Sequence, residues 1–441
     1  MIKRTVCAIL LLLIIMPFIS LSTSAKDIVD EINIEIPPEA GAVYLYSYNG
    51  NRVLFSNDDS AVRSPASTAK MMSGLLVCRQ YKEKLNTVVT ITSEMLTGIE
   101  GITIGLTEGM QITIKDLLYG TICAGGNDAA QALAIACGGS ISEFVSEMNR
   151  YARRLDMRST KYSNPTGLDH LDAVTTLSDT AKLAASAATD ELYVCISSAN
   201  SYTIDTGSNV LTIYNRNALI SQFSAQGYLN KTANGLISGS TDDGGYVLAV
   251  YAKKNNTSLL CVIMGAQATE NEIYSYATAN KLLEYAFDNY TEIKILGKNE
   301  QITNASVNLA LEGTDRARIP CIPEADVYAF LPVNADLDKI SCVTYLHDEA
   351  LTAPIQKGTV VGGVDIYYNG KYVTSSKLIS ADNIDVNFIL KTVDHMKNTL
   401  TSRMFWMSAI TAGILIAFYI ISSRKNSRHQ RVSKVQFKKF Y

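Results

Sequence analysis

Two stretches of this chain are almost free of polar positions, and they bracket everything else. The first runs from Val6 to about Ile19 behind Lys3 and Arg4, then gives way to small residues ending at Ala25. A positive start, a short apolar centre, and Thr23 and Ala25 at its end predict an export signal over 1–25. An uncleaved membrane helix fits less well, because the run is short for a bilayer. The second stretch, Met404 to Ser423, carries no charge and has the length of a membrane-spanning helix. Trp406 and Tyr419 stand near its ends, where amphipathic rings favour the interface. A tail over 424–441 follows, with Arg424, Lys425, Arg428, Arg431, Lys434, Lys438 and Lys439 and no acid. That bias predicts a cytoplasmic tail after a stop-transfer helix rather than a nucleic-acid patch. The expected topology is single-pass, with a large external body on a C-terminal anchor.

Between these segments the pattern changes period several times. Ala42 to Tyr48 and Arg52 to Ser56 alternate around Asn49-Gly50, which predicts a hairpin closed by a type I′ turn. Helical spacing follows over 67–82, 115–121, 127–137, 141–155 and 177–190. Strand-like runs come at 210–214, 246–252 and 258–265, and a helical stretch at 270–288. Strands at both ends with helices between predict one sheet packed by helices, an α/β (α+β) domain over 26–290. After about residue 292 short strands recur at 293–296, 306–311, 327–331, 340–346, 362–368 and 371–379. Gly, Asn, Asp and Pro separate them, which predicts a small all-β domain over 292–382. A helical stalk is expected over 383–403, leading into the membrane helix at 404–423.

Composition narrows the function classes. The formal net charge of −3 gives no reason to expect a polyanion partner, and no nucleic acid is implied. Seven cysteines lie beyond the signal, at 78, 123, 137, 195, 261, 321 and 342, without CxxC spacing. They fit buried small residues better than a disulfide framework or a zinc site; Cys321 and Cys342 are a candidate pair that spacing does not settle. The four histidines are scattered and no glycine-rich phosphate loop is present, so neither a metal nor another cofactor is expected.

The chemistry concentrates at Ser67-Thr68-Ala69-Lys70. Three residues apart at the start of a helix, a hydroxyl and an ammonium share one face. A serine hydroxyl needs an adjacent base to attack at neutral pH, and lysine serves if burial or nearby positive charge lowers its pKa. The helix N-terminus also directs backbone N–H groups at a developing oxyanion. The bare spacing is unspecific: it recurs at Ser422-Lys425, at the membrane boundary.

The surroundings of Ser67 are more informative. Tyr44 to Phe55, followed by Arg63-Ser64-Pro65-Ala66-Ser67-Thr68-Ala69-Lys70-Met71-Met72, resembles the start of the D-alanyl-D-alanine carboxypeptidases, the low-molecular-mass penicillin-binding proteins. Gly126-Asn127-Asp128-Ala129-Ala130 resembles that family's second motif, and Asn164-Pro165-Thr166-Gly167-Leu168-Asp169 its NPxGLD segment. Asn215-Arg216-Asn217-Ala218-Leu219 resembles the NRNxLL segment, and Gly235 to Thr241, then Gly244-Gly245-Tyr246, lies where the third motif stands. The β module, with Ala353-Pro354 and Gly362-Gly363, looks like the family's C-terminal domain. The resemblance covers nearly the whole exported body and implies a transpeptidase-type fold shared with the β-lactamases.

By resemblance, Ser67 is the nucleophile on the terminal D-alanyl-D-alanine bond and Lys70 its base. Asn127 binds the substrate backbone and helps orient Lys70. Ser238, Gly239, Ser240 and Thr241 line the substrate, with the N–H groups of Ser67 and Ser240 as the oxyanion hole. The implied partners are peptidoglycan stem peptides and, as inhibitors, β-lactams; the implied location is a bacterial cell membrane. Two positions depart from the pattern. Gly125 stands where the second motif carries serine, and Ile237 where the third carries lysine, so a proton-relay hydroxyl and a carboxylate-binding cation are missing. Lys231-Thr232-Ala233 lies six residues too early to restore the third motif, and Ser258 replaces an arginine common on the following strand. Asp169 is expected to hold the turn after Gly167. The readings that result are a D,D-carboxypeptidase, active or of impaired activity, or a weak or inactive binding protein for cell-wall peptide or β-lactam. A class A β-lactamase lacks support because no matching Glu-containing loop is found.

Overall fold

The computed structural model describes residues 34–206, 210–225, 227–311, 317–347 and 351–435, with side chains as far as Arg424. The expected export signal lies outside the described residues. The chain enters through β1 (Ala42–Ser47) and β2 (Arg52–Ser56), which pair antiparallel as expected. The turn differs. Ser47 pairs with Arg52, so Tyr48, Asn49, Gly50 and Asn51 all belong to the loop, and Asn51, not Gly50, is left-handed at φ 47°. The cause lies far away in the chain. The buried Glu292 carboxylate accepts from Ser47 Oγ, the N–H groups of Asn49 and Gly50, and Asn49 Nδ2. A buried carboxylate needs such donors, and the wider loop supplies them.

The helices come next: α1 (Thr68–Gln80), then a small ribbon of β3 (Val88–Thr90) and β4 (Gln111–Thr113) ahead of α2 (Ile114–Ile122). They continue with α3 (Asn127–Gly138), α4 (Ile141–Arg154), α5 (Leu177–Ala188) and α6 (Glu191–Ser197). Thr113, Ser140, Thr176 and Asp190 cap α2, α4, α5 and α6 through their side-chain oxygens, which sets where those helices begin. A ribbon of β5 (Ser201–Asp205) and β6 (Val210–Tyr214) leads to β7 (Ala233–Thr241), β8 (Gly245–Lys254), β9 (Thr257–Ala266) and α7 (Tyr274–Asn289).

The main sheet runs β2-β1-β9-β8-β7 and is antiparallel throughout. Its two faces pack different clusters, as the strand period of two requires. Ile237, Val247, Ala249, Leu260 and Val262 meet Met71, Met72, Leu75 and Leu76 of α1 on one side. Leu248, Val250, Cys261 and Ile263 meet Ala279, Leu282 and Leu283 of α7 on the other. β9 is covered on both faces, which explains its unbroken apolar run. β7 is an edge strand, open along one side. Helix α1 is buried from Thr68 to Cys78, so it is apolar nearly all round, with Lys70 an exception in the middle of that core.

The rest is β10 (Tyr290–Leu296), β11 (Thr303–Asn308), β12 (Ala317–Pro323), β13 (Val327–Pro332), β14 (Ile340–Leu346), β15 (Leu351–Thr352), β16 (Val360–Tyr368) and β17 (Lys371–Ser380). A two-stranded pair, β10-β13, accompanies a six-stranded sheet of order β14-β16-β17-β12-β11-β15. The chain divides into two compact units. One holds everything to Ile295 together with Val327–Ser341 and Ile366–Thr374; the other holds Leu296–Asp326, Cys342–Asp365 and the chain from Ser375 onward. The seven cysteines named above are all free thiols, Cys321 buried and Cys342 exposed, so the candidate pair is not joined. Helix α8 (Phe388–Thr401) lies within residues 383–403, and α9 (Arg403–Val435) contains a 22-residue stretch, Arg403–Arg424, long and apolar enough to cross a membrane.

Candidate active site

Ser67 stands immediately before α1 in helical conformation, and its side chain caps nothing. It is 7% exposed, and among the described residues neither its Oγ nor its N–H has a hydrogen-bond partner. The residue before it, Ala66, is left-handed at φ 44°, a conformation that costs an L-residue roughly 1–2 kcal/mol. Two glycines make room for this kink. A Cβ on Gly167 would overlap the Ala66 carbonyl, and one on Gly244 would lie 2.7 Å from Ala66 Cβ. A third glycine faces Ser67 itself: a Cβ on Gly239 would overlap Ser67 Oγ and lie 2.8 Å from its Cβ.

Lys70 follows one helical turn later and is 5% exposed. Its Nζ donates to the Thr166 carbonyl at 2.7 Å, leaving two ammonium donors uncommitted. Burial, and then the charge of Arg216, bring its pKa down to about 7. The 164–169 segment that holds it is itself tied to α1 and to the strand opposite. Ser73 Oγ donates to Pro165 O, and Asn164 Oδ1 accepts from Gly167 N and Thr166 Oγ1. Asp169 accepts from Ser64 Oγ, Thr241 Oγ1 and the Asp243 N–H. Its carboxylate therefore fastens three loops, in keeping with the structural role expected of it.

The second motif is arranged differently from the expectation. Gly125 has φ 68°, and Asn127 opens α3 at 4% exposure. Asn127 Nδ2 donates to Glu100 O at 2.7 Å, and its N–H to Ile102 O. The anticipated contact that would orient Lys70 is not made: the Lys70 ammonium donates to Thr166 O, and Asn127 Oδ1, the atom that could accept from it, does not receive it. Asn127 Oδ1 is left buried without a partner. Such an orphan acceptor calls for a donor from outside, and a substrate N–H is one. Neighbouring Asp128 does no capping of the usual kind; its carboxylate gathers the N–H groups of Ile104, Gly105 and Leu106 and pins the same loop.

The third motif lies on the edge strand. Ile237 is 2% exposed and belongs to the core against α1. Ser238 points to the other face, where it lies near the Tyr276 hydroxyl. Gly239 abuts Ser67, Ser240 is exposed, and Thr241 binds Asp169. Lys231 is exposed and precedes β7, and Thr232 Oγ1 donates to Asn230, so Gly239 rather than the Lys231 triplet meets Ser67. Ser258 is buried, its N–H on Glu292 and its Oγ on the Tyr251 hydroxyl. A cavity of about 530 Å³ at the far end of β7 is lined by Arg63, Thr241, Asp242, Asp243, Tyr246 and Gln267, and excludes Ser67 and Lys70. Sequence reasoning passed over Arg216 as part of a motif; its nearness to Lys70 has no local signature.

Residues 31–268 match the family model for D-alanyl-D-alanine carboxypeptidase, more than half of the chain. The chain belongs to the D-alanyl-D-alanine carboxypeptidase family. Residues 290–386 match the C-terminal domain of penicillin-binding protein 5. The chain is 28% identical over 361 residues to the D-alanyl-D-alanine carboxypeptidase DacD of Escherichia coli, covering 79% of this chain and 88% of that one. It is 25% identical over 386 residues to DacF of Bacillus subtilis, with 87% and 95% covered. The crystal structure of penicillin-binding protein 5 from Haemophilus influenzae superposes with a TM-score of 0.70 at 26% identity, over 80% of this chain and 99% of that one. The fold is thus that of penicillin-binding protein 5, an α/β catalytic domain followed by a C-terminal β domain.

Proposed function

We propose that this family member removes the terminal D-alanine from peptidoglycan stem peptides through an acyl-enzyme on Ser67, outside the cytoplasmic membrane. The observation that carries the reading is Lys70: a lysine buried one turn from an unpartnered serine hydroxyl, with its pKa brought down to about 7. A base is most useful when its pKa lies near the working pH. Ser67 Oγ attacks the carbonyl carbon of the D-alanyl-D-alanine bond as its proton passes to Lys70 Nζ. The oxyanion draws on the free Ser67 N–H and on Ser240 N–H, with Ser238 to Thr241 offering the open edge of β7 to the substrate backbone. The C–N bond then breaks and the departing D-alanine amine takes the proton. Water attacks the ester with Lys70 as base, which releases the shortened peptide and restores Ser67. A β-lactam carries an amide that the same serine opens.

The 22-residue apolar stretch of α9 supports a C-terminal anchor, and the basic residues after it support a cytoplasmic tail. A fluorescent penicillin should label the full chain and leave the Ser67→Ala chain unlabelled; no adduct by intact mass after long incubation would sink the reading. Gly125 and Ile237 favour a second possibility, a binding protein that acylates but turns over feebly. Labelling at Ser67 without release of D-alanine from a pentapeptide would select it.

A further inference from the structure

The serine and lysine of the second and third motifs are absent from this chain, and one cation passes the place of the first. Arg216 has its backbone fixed on both sides. Its N–H donates to Cys123 O at 3.0 Å, and its carbonyl accepts from Ser224 Oγ at 2.7 Å and from the Tyr276 hydroxyl at 3.2 Å. The flanking Asn215 donates to the carbonyls of Ser197 and Ala199, and Asn217 Oδ1 accepts from Leu219 N–H. Tyr276, which holds Arg216, also lies near Ser238 of the third motif. The side chain passes Gly125: a Cβ added there would lie 3.5 Å from Arg216 Cδ. Among the described residues the guanidinium has no ion pair and no hydrogen bond. The side chain is exposed, so its five donors face solvent on a clamped backbone and are free to take an anion from outside.

We propose that Arg216 receives the terminal carboxylate of the substrate in this chain, standing in for the lysine that the third motif lacks. The inference rests on the peptidase reading of the site and names its carboxylate-binding group. Substrate direction supports it. With the scissile carbonyl at Ser67 and Gly239, one end of the substrate runs towards the start of β7, beside Ser238, Tyr276 and Arg216. The other end runs towards Asp242, Asp243 and Arg63, and the Arg63 guanidinium is already paired with Asp58. A guanidinium offers a planar fork that a carboxylate accepts in two parallel bonds. The same charge disfavours the charged form of Lys70, so binding and base activation draw on one residue.

The test uses the full chain in detergent. In a Ser67→Ala background, calorimetry compares diacetyl-lysyl-D-alanyl-D-alanine with its C-terminal carboxamide. The acid should bind on the order of 10- to 100-fold more tightly than the amide, as a charge-assisted pair provides. Arg216→Gln should abolish that preference, and Arg216→Lys should keep part of it and control for folding. With Ser67 present, Arg216→Gln should also move the midpoint of penicillin acylation above pH 7, whereas Arg216→Lys should not. A preference unchanged by Arg216→Gln, or no preference with Arg216 intact, overturns the proposal. Failure of the parent to acylate, with the carboxylate preference intact, would instead overturn the peptidase reading and leave the binding role standing.

Discussion

The wall of the site formed by α1 and residues 164–169 and the wall formed by β7 and the 124–127 turn are made in different ways. On the first, Lys70, Ser73, Asn164 and Thr166 are bound to one another or to nearby carbonyls, and Asp169 accepts from Thr241 at the end of β7. On the second, Gly125 and Gly239 present bare backbone, Ile237 has turned into the core, and Asn127 Oδ1 has no partner. The reactive pair is thus held by its own wall, independently of the motif positions that have changed. Losses on the facing wall bear on grip and proton relay, not on the placing of Ser67 and Lys70. A site can therefore keep its nucleophile in order while its substrate-binding surface drifts, and Arg216 is the group on that surface able to offset the drift.

The comparison can be broken most decisively at the first wall. Ser67→Ala should remove covalent penicillin labelling altogether, and Lys70→Ala should lower its rate by about 10³-fold or more. Equal labelling of the Lys70 variant would show that another group serves as base. At the point where the walls touch, Gly239→Ala should reduce labelling by roughly 100-fold, since the added methyl displaces Ser67 Oγ. A melting curve should move only a few degrees, separating misplacement from unfolding.

On the second wall the effects should be smaller. Gly125→Ser with Ile237→Lys should raise D-alanine release by about tenfold, short of the 100-fold or more expected where no cation served the site. The melting temperature should fall, because residue 237 is 2% exposed and residue 125 is left-handed at φ 68°. A rate no better than the parent would show that the missing groups do not limit turnover. The smallest effect concerns stability. With Lys70 lowered to about 7 from 10.5, the unfolded chain binds more protons between those values, so stability gained from this group rises with pH across that window. Lys70→Met should flatten the rise by several degrees of melting temperature and be the more stable chain below pH 7; parallel curves would show that Lys70 titrates normally.

Much of this architecture was open to reading in the chain. The helices over 127–137 and 141–155 and the strands at 246–252 and 258–265 lie within a few residues of their positions, because apolar periodicity reports which face is buried. Strand β7 was harder to see: Gly235, Ser238, Gly239 and Ser240 have little strand propensity, and its edge position leaves room for them. The Asn49-Gly50 dipeptide pointed to a tight turn, and Glu292, from a remote strand, imposed a wider one.

For the pair at the centre, the chain alone determined that Ser67 and Lys70 share a helix face and that their flanking motifs place the chain in its family. Spacing and helix geometry suffice for that, being local. The state of Lys70 was decided by tertiary structure. It depends on a carbonyl at Thr166, on burial between α1 and the sheet, and on a charge at Arg216, all far from it in sequence. The same holds for Asn127, whose donors went to the 100–102 loop. Hydrogen bonds and Coulomb terms act through space, over distances that only the folded chain sets.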